Sequence, residues 1–170
     1  MNKYNFNFNK NDVEWYTKKT DILKFLELAK IDKTKTIWCP FDNKNSNFVK
    51  VLKEQGYNII YSHISLDQDF YKYEPKQKYD LIISNPPFKG KSQTLKRLIQ
   101  LNKPFAMIYG IQCFNSGGFV KELKNVKNLQ LIFLNKRMQF FKESENEKGS
   151  CSFHSLWICN DLLDRKLIIE

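Results

Sequence analysis

The sequence is poor in the residues from which metal centres and disulfide frameworks are built. It has two histidines, His63 and His154, and four cysteines, Cys39, Cys113, Cys151 and Cys159, none of them spaced as CxxC. A His-based metal site is therefore not expected. Three of the thiols sit within or beside apolar strand-like runs, so buried free cysteines are expected rather than zinc ligands or disulfides. No apolar run approaches the ~18 residues that span a bilayer. The opening MNKYNFNFNKND holds no apolar signal-peptide core, and a cytoplasmic protein with no membrane partner is the expectation. No internal repeat, low-complexity linker or sharp change of composition divides the chain.

Acidic residues are also in deficit, with 18 Asp and Glu against 28 Lys and Arg and a net charge of +10. That balance favours a polyanionic partner, nucleic acid first. The abundance of Lys, Asn, Ile and Phe is equally what an AT-rich coding sequence produces, so the charge alone does not decide. The 170 residues are 42% hydrophobic and 15% aromatic, enough for one sizeable core in one domain.

Periodicity organises that domain. After a polar, frayed start over residues 1–12, Ile22, Leu23, Phe25, Leu26 and Ala29 follow helical spacing, predicting a helix over 21–29 with Thr20 as its N-cap. Strand-like runs follow at 36–39, 58–61, 80–84, 105–109, 129–134 and 153–159. Helix-like stretches lie at 46–55, 91–101 and 118–124. Strand and helix alternating at this spacing predict an α/β architecture, a mostly parallel sheet with helices on both faces. The last two runs are joined by 135–152 without a periodic helix, predicting an antiparallel last strand pair and a long loop. That loop carries Lys136, Arg137, Phe140 and Phe141 near its start and suits either a binding loop or a solvated excursion.

The most informative stretch is YDLIISNPPFKG, residues 79–90. Asn85, Pro86, Pro87 and Phe88 follow a buried parallel strand at its carboxyl end, where open α/β sheets bind their ligands. A tetrapeptide of this kind arises by chance in roughly 0.2% of chains this long, if each residue type occurs at ~5%. It resembles the [DNS]-P-P-[FYW] motif of S-adenosylmethionine-dependent amino methyltransferases, above all the adenine-N6 enzymes. The chemistry suits the residue types. Methyl transfer from a sulfonium moves positive charge onto an exocyclic amine, and acceptors aimed at that amine stabilise the charge as it forms. The Asn85 side-chain oxygen accepts one amine hydrogen in this reading, and a prolyl carbonyl such as that of Pro86 accepts the other. Proline fixes φ and offers no competing N–H, and Phe88 supplies a face for an extruded base.

The resemblance implies further elements in order. EWYTKKTDILKFL, residues 14–26, is similar to the segment that closes over the cofactor's methionine end, with Tyr16 and Thr17 as its candidates. WCPFDNKNSNFVKVL, residues 38–52, stands where the cofactor loop would be, with Pro40, Phe41 and Asp42 as contacts. Asp69-Phe70 resembles the acidic-aromatic pair that meets the cofactor's adenine, and His63 stands near the ribose position. Two departures are plain. The cofactor loop has no glycine between Trp38 and Gln55, and Cys39 stands where an acid is normal, with Asp42 three residues later.

The order of elements is similar to the gamma arrangement of DNA amino methyltransferases, and the chain resembles small phage- and mobile-element-encoded adenine methyltransferases. The resemblance implies a Rossmann-like class I methyltransferase fold filling 13–170, with no separate target-recognition domain. It also implies S-adenosylmethionine as cofactor and nucleic acid as substrate, DNA in preference to RNA, with Lys136 and Arg137 on phosphates. Base selection would then come from residues 135–152, from the N-terminus or from a partner subunit, and a partner subunit or homodimer is the expected assembly. Two other functions fit the same motif: a catalytically retired fold acting as a nucleic-acid-binding or partner subunit, and N-methylation of glutamine or a small amine.

Overall fold

The structure is a computed structural model, and it describes residues 16–141, 148–149 (backbone only) and 154–170. The expected frayed start, Cys151 and much of the long loop lie outside the described residues. In chain order the strands are β1 (Tyr16–Thr17), β2 (Thr36–Cys39), β3 (Asn58–Tyr61), β4 (Leu81–Ser84), β5 (Phe105–Gly110), β6 (Leu129–Phe133), β7 (Phe140–Phe141), β8 (Lys148–Gly149), β9 (Ser155–Asn160) and β10 (Leu167–Ile169). The α-helices are α1 (Lys19–Ala29), α2 (Asn47–Glu54), α3 (Lys91–Leu101) and α4 (Gly117–Leu123).

Seven strands form one sheet in the order β10-β6-β9-β5-β4-β2-β3. All pairings are parallel except those of β9, which lies antiparallel between β5 and β6. Alternation along the strands sorts side chains onto two faces. Ile37, Cys39, Leu81, Ile83, Ala106, Ile108, Trp157 and Cys159 pack with Ile22 and Phe25 of α1 and Phe48, Val51 and Leu52 of α2. Trp38, Ile82, Phe105, Met107, Leu156 and Ile158 pack with Leu95 and Leu98 of α3 and Phe119 of α4. Helices therefore cover both faces, as the sequence predicts. On the first face Trp157 stacks on Phe25 at 4.0 Å between ring centroids and meets Phe48 edge-on at 6.0 Å. Each large side chain so buried contributes about 1.5–3 kcal/mol.

Three features depart from the expectation. Thr20 is not the N-cap of α1. Lys18 takes that position without a side-chain bond, because its backbone N–H is drawn to the carbonyl of Gln139 (3.2 Å) as the chain leaves β1. β1 itself pairs antiparallel with β7, and β7 with β8, in a small second sheet. Finally β10 adds a parallel strand outside β6. Buried Gln130 anchors the turn before it, accepting from the N–H groups of Leu162 (2.8 Å) and Leu163 (2.9 Å) and donating to the Leu163 carbonyl (2.5 Å).

Candidate functional site

The carboxyl ends of β2 and β4 meet at one carboxylate. Asp42, 5% exposed, lies in the loop between β2 and α2. Its Oδ2 accepts from the Ser84 hydroxyl (2.5 Å) and its Oδ1 from the Ser46 hydroxyl (2.6 Å). Ser46 is the N-cap of α2 and also accepts from the backbone N–H of Val49 (3.3 Å). Ser84 is the last residue of β4, so Asp42 ties the loop after one strand to the residue that precedes Asn85. Sequence reasoning singled out Asp42 but neither serine. The loop needs no glycine to make its turn, because no residue from 39 to 55 has a positive φ.

Beyond Ser84 the chain turns into Asn85-Pro86-Pro87-Phe88. Pro86 is buried, whereas Asn85, Pro87 and Phe88 are half-buried. The Asn85 side-chain oxygen is enclosed and has no hydrogen-bond partner, an unusual state for a buried polar atom. Phe88 meets Phe140 of β7 edge-on at 6.3 Å. The corner then returns to α3 through Gly90, whose φ of +74° suits glycine. The Gly90 carbonyl accepts from the Thr94 hydroxyl (3.2 Å), which lies 2.8 Å from the Tyr71 hydroxyl.

The small sheet joins this corner to the N-terminal element. Thr17 pairs with Phe140 and Tyr16 with Phe141. The Asn47 side chain at the start of α2 donates to the Thr17 carbonyl (2.8 Å). Asp21 accepts from the N–H of Gln139 (3.1 Å), and its burial raises its carboxyl above the usual range. Thr17 is itself buried, with a hydroxyl that has no hydrogen-bond partner. Contacts thus run in a ring from Thr17 to Asn47 and α2, through Ser46, Asp42 and Ser84 to Asn85 and Phe88, and back through Phe140. This ring of contacts brings the Tyr16-Thr17 pair together with Asp42, Asn85 and Phe88 from distant parts of the sequence.

The remaining predicted residues lie around it. Pro40 is buried and Phe41 half-buried. Cys39 is buried, and the apolar surroundings together with the Asp42 carboxylate push its thiol well up. It is therefore no substitute for an acid. His63 is 9% exposed, and its Nδ1 accepts from the backbone N–H of Ser65 (3.1 Å). Asp69 accepts from the backbone N–H of Tyr71 (3.1 Å). Phe70 is sealed in the core, 2% exposed, with its ring against Phe41 (4.7 Å) and Trp38 (5.6 Å). Lys136 and Arg137 are exposed between β6 and β7, and an Arg137 Nη2 lies 3.3 Å from the Nε2 of His154. Cys39, Cys113 and Cys159 are free and buried. Among the described residues no cluster of His, Cys, Asp and Glu could hold a metal, and no helix is long and apolar enough to cross a membrane.

No family model matches the chain, and no curated protein matches it. Solved structures do. One, described as a modification subunit of a type I restriction enzyme from Vibrio vulnificus YJ016, is similar over 95% of this chain and 46% of its own, with a TM-score of 0.56 at 12% identity. This chain therefore spans less than half of that protein. An RNA methyltransferase, so described, from Pyrococcus horikoshii gives a TM-score of 0.46 at 10% identity, covering 83% of this chain and 80% of its own. A protein described as a methyltransferase from Thermoplasma acidophilum gives 0.38 at 12% identity, covering 79% and 60%. The first likeness and the sheet order agree on a Rossmann-like class I methyltransferase fold.

Proposed function

We propose that this chain is an S-adenosylmethionine-dependent methyltransferase that acts on the N6 amine of adenine in nucleic acid, DNA in preference to RNA. The observation that carries the reading is the Asn85 side-chain oxygen, a buried acceptor with no partner at the carboxyl end of β4. An acceptor left unsatisfied there is destabilising by about 1–3 kcal/mol, and an arriving amine would remove that penalty. Such strain at a polar group is common where a ligand completes the bonding.

The residues present fit the cofactor. Thr17 carries the second unpartnered buried oxygen of the ring, and the loop of Pro40, Phe41 and Asp42 turns without glycine. In this reading Tyr16, Thr17 and Asp42 hold the amino-acid end and His63 the ribose. Asp69 and Phe41 flank the adenine, and Phe70 backs Phe41. Bound S-adenosylmethionine supplies an electrophilic methyl group on a sulfonium. Asn85 and the Pro86 carbonyl hold the amine and aim its lone pair, and their oxygens offset the positive charge that grows on nitrogen. Phe88, braced by Phe140, stacks on the extruded base. Pro86 and Pro87 keep the corner rigid, so in-line placement supplies much of the rate. Lys136 and Arg137 take phosphates, which position the strand without reading it.

A second reading has its own support. Both oxygens of Asp42 are engaged by serine hydroxyls and Cys39 replaces the usual acid, which favours a retired fold serving as a nucleic-acid-binding or partner subunit. Incubation with tritiated S-adenosylmethionine and separate DNA, RNA and protein pools distinguishes them. The proposed enzyme labels DNA. Label in protein alone, or in no pool, would overturn it.

A further inference from the structure

The large sheet ends at β3, and no strand among the described residues pairs with its outer side. Ile59, Ile60 and Tyr61 of this edge are half-buried and Asn58 is exposed. Sheet edges are commonly blunted by lysine, proline or a bulge within the strand, and NIIY contains none of these. Residues 72–77 form no strand and face Ile60 and Tyr61 of this edge across a shared hollow. The hollow is a cavity of about 560 Å³, lined by Ile60, Tyr61, Lys72, Tyr73, Pro75 and Lys76 among others. That is within the roughly 300–1,000 Å³ range of ligand sites.

The rim of this cavity is positive. Lys72 and Lys76 are exposed and have no acidic partner among the described residues. The Lys53 ammonium lies 5.4 Å from the centre of the Tyr61 ring. The acid of the wall, Glu74, is already engaged: its Oε1 accepts from the Tyr79 hydroxyl (2.7 Å), and its Oε2 lies 3.6 Å from an Arg97 nitrogen.

We propose that β3 and this cavity form a docking edge for an acidic, extended segment of a partner polypeptide, which adds to the sheet as an eighth strand. A row of peptide groups is matched by another peptide backbone. Phosphates and bases do not offer alternating donors and acceptors at strand spacing. A second copy of this chain fits poorly, because two-fold pairing would set Lys72 and Lys76 against their own equivalents. The proposal is independent of methyl transfer.

The test is a titration of the isotope-labelled full chain with a short acetylated peptide of alternating glutamate and valine, followed by amide shifts. Saturable shifts confined to 58–61 and 72–77 are expected. The double variant Lys72→Glu/Lys76→Glu, altered only at exposed positions, should bind about tenfold more weakly. A peptide with lysine in place of glutamate should not bind. No shift at millimolar peptide, or equal affinity in the double variant, would overturn the proposal. So would stronger shifts of the same amides by oligodeoxythymidine, or a concentration-dependent dimer that protects β3.

Discussion

Replacing Ser84 with alanine removes one hydroxyl from the carboxylate that joins the two halves of the site. The bond lost is the 2.5 Å contact to Asp42, with both groups buried. A hydrogen bond to a charged group contributes about 1.5–3 kcal/mol. For a chain of this length each kcal/mol lowers Tm by about 2–4 °C, so Ser84→Ala should lower it by about 3–12 °C. Calorimetry or circular dichroism would measure the shift. The decisive comparison is a double-mutant cycle with Asp42→Ala. Once the carboxylate is gone, the serine has nothing to hold, and the two changes should be less than additive by about 0.5–3 kcal/mol. Strict additivity would show that Ser84 stabilises the strand by packing alone, and the clamp would be refuted.

Other consequences are independent of that clamp. Gly90→Ala places a Cβ at a φ of +74° and 3.1 Å from the Tyr71 hydroxyl. It should destabilise by about 1 kcal/mol or more, read as an earlier urea midpoint. Phe88→Ala should weaken the hold on an extruded adenine by about 1–3 kcal/mol, seen as a raised KM for DNA with the affinity for S-adenosylmethionine little changed. DNA binding should fall steeply with added salt, since phosphate contacts release counterions. Binding indifferent to salt would contradict the role given to Lys136 and Arg137. Burial pushes the Cys113 thiol up to about 11, so at pH 8 it should stay unmodified by iodoacetamide in the folded protein and react once unfolded.

The central elements were legible because each repeats a simple pattern. The runs at 36–39 and 58–61 coincide with β2 and β3, and the helix at 91–101 with α3, since uninterrupted apolar strands and 3.6-residue periodicity leave little choice. Thr20, a good capping residue, lies two residues past the actual N-cap, Lys18, because β1 fixes where the helix begins. β1 and β7 hold two residues each, too few for any alternation, and their pairing joins Tyr16 to Phe141 and Thr17 to Phe140, far apart in sequence. β10 depends on Gln130, a polar residue whose buried role shows only when the turn at 162–163 folds over it. At the site, Asn85 to Phe88 announce themselves as a motif. Ser84 does not, since a serine closing an apolar strand has no pattern of its own until Asp42 arrives from another loop.

The most direct measurement is nucleoside analysis of DNA incubated with S-adenosylmethionine and either the wild-type chain or Asn85→Ala, with cofactor affinity measured on both by calorimetry. The account predicts N6-methyladenine from the wild type, none from the variant, and similar cofactor affinities. Methylation retained in Asn85→Ala would contradict it, as would a wild-type chain that binds no S-adenosylmethionine at millimolar concentration.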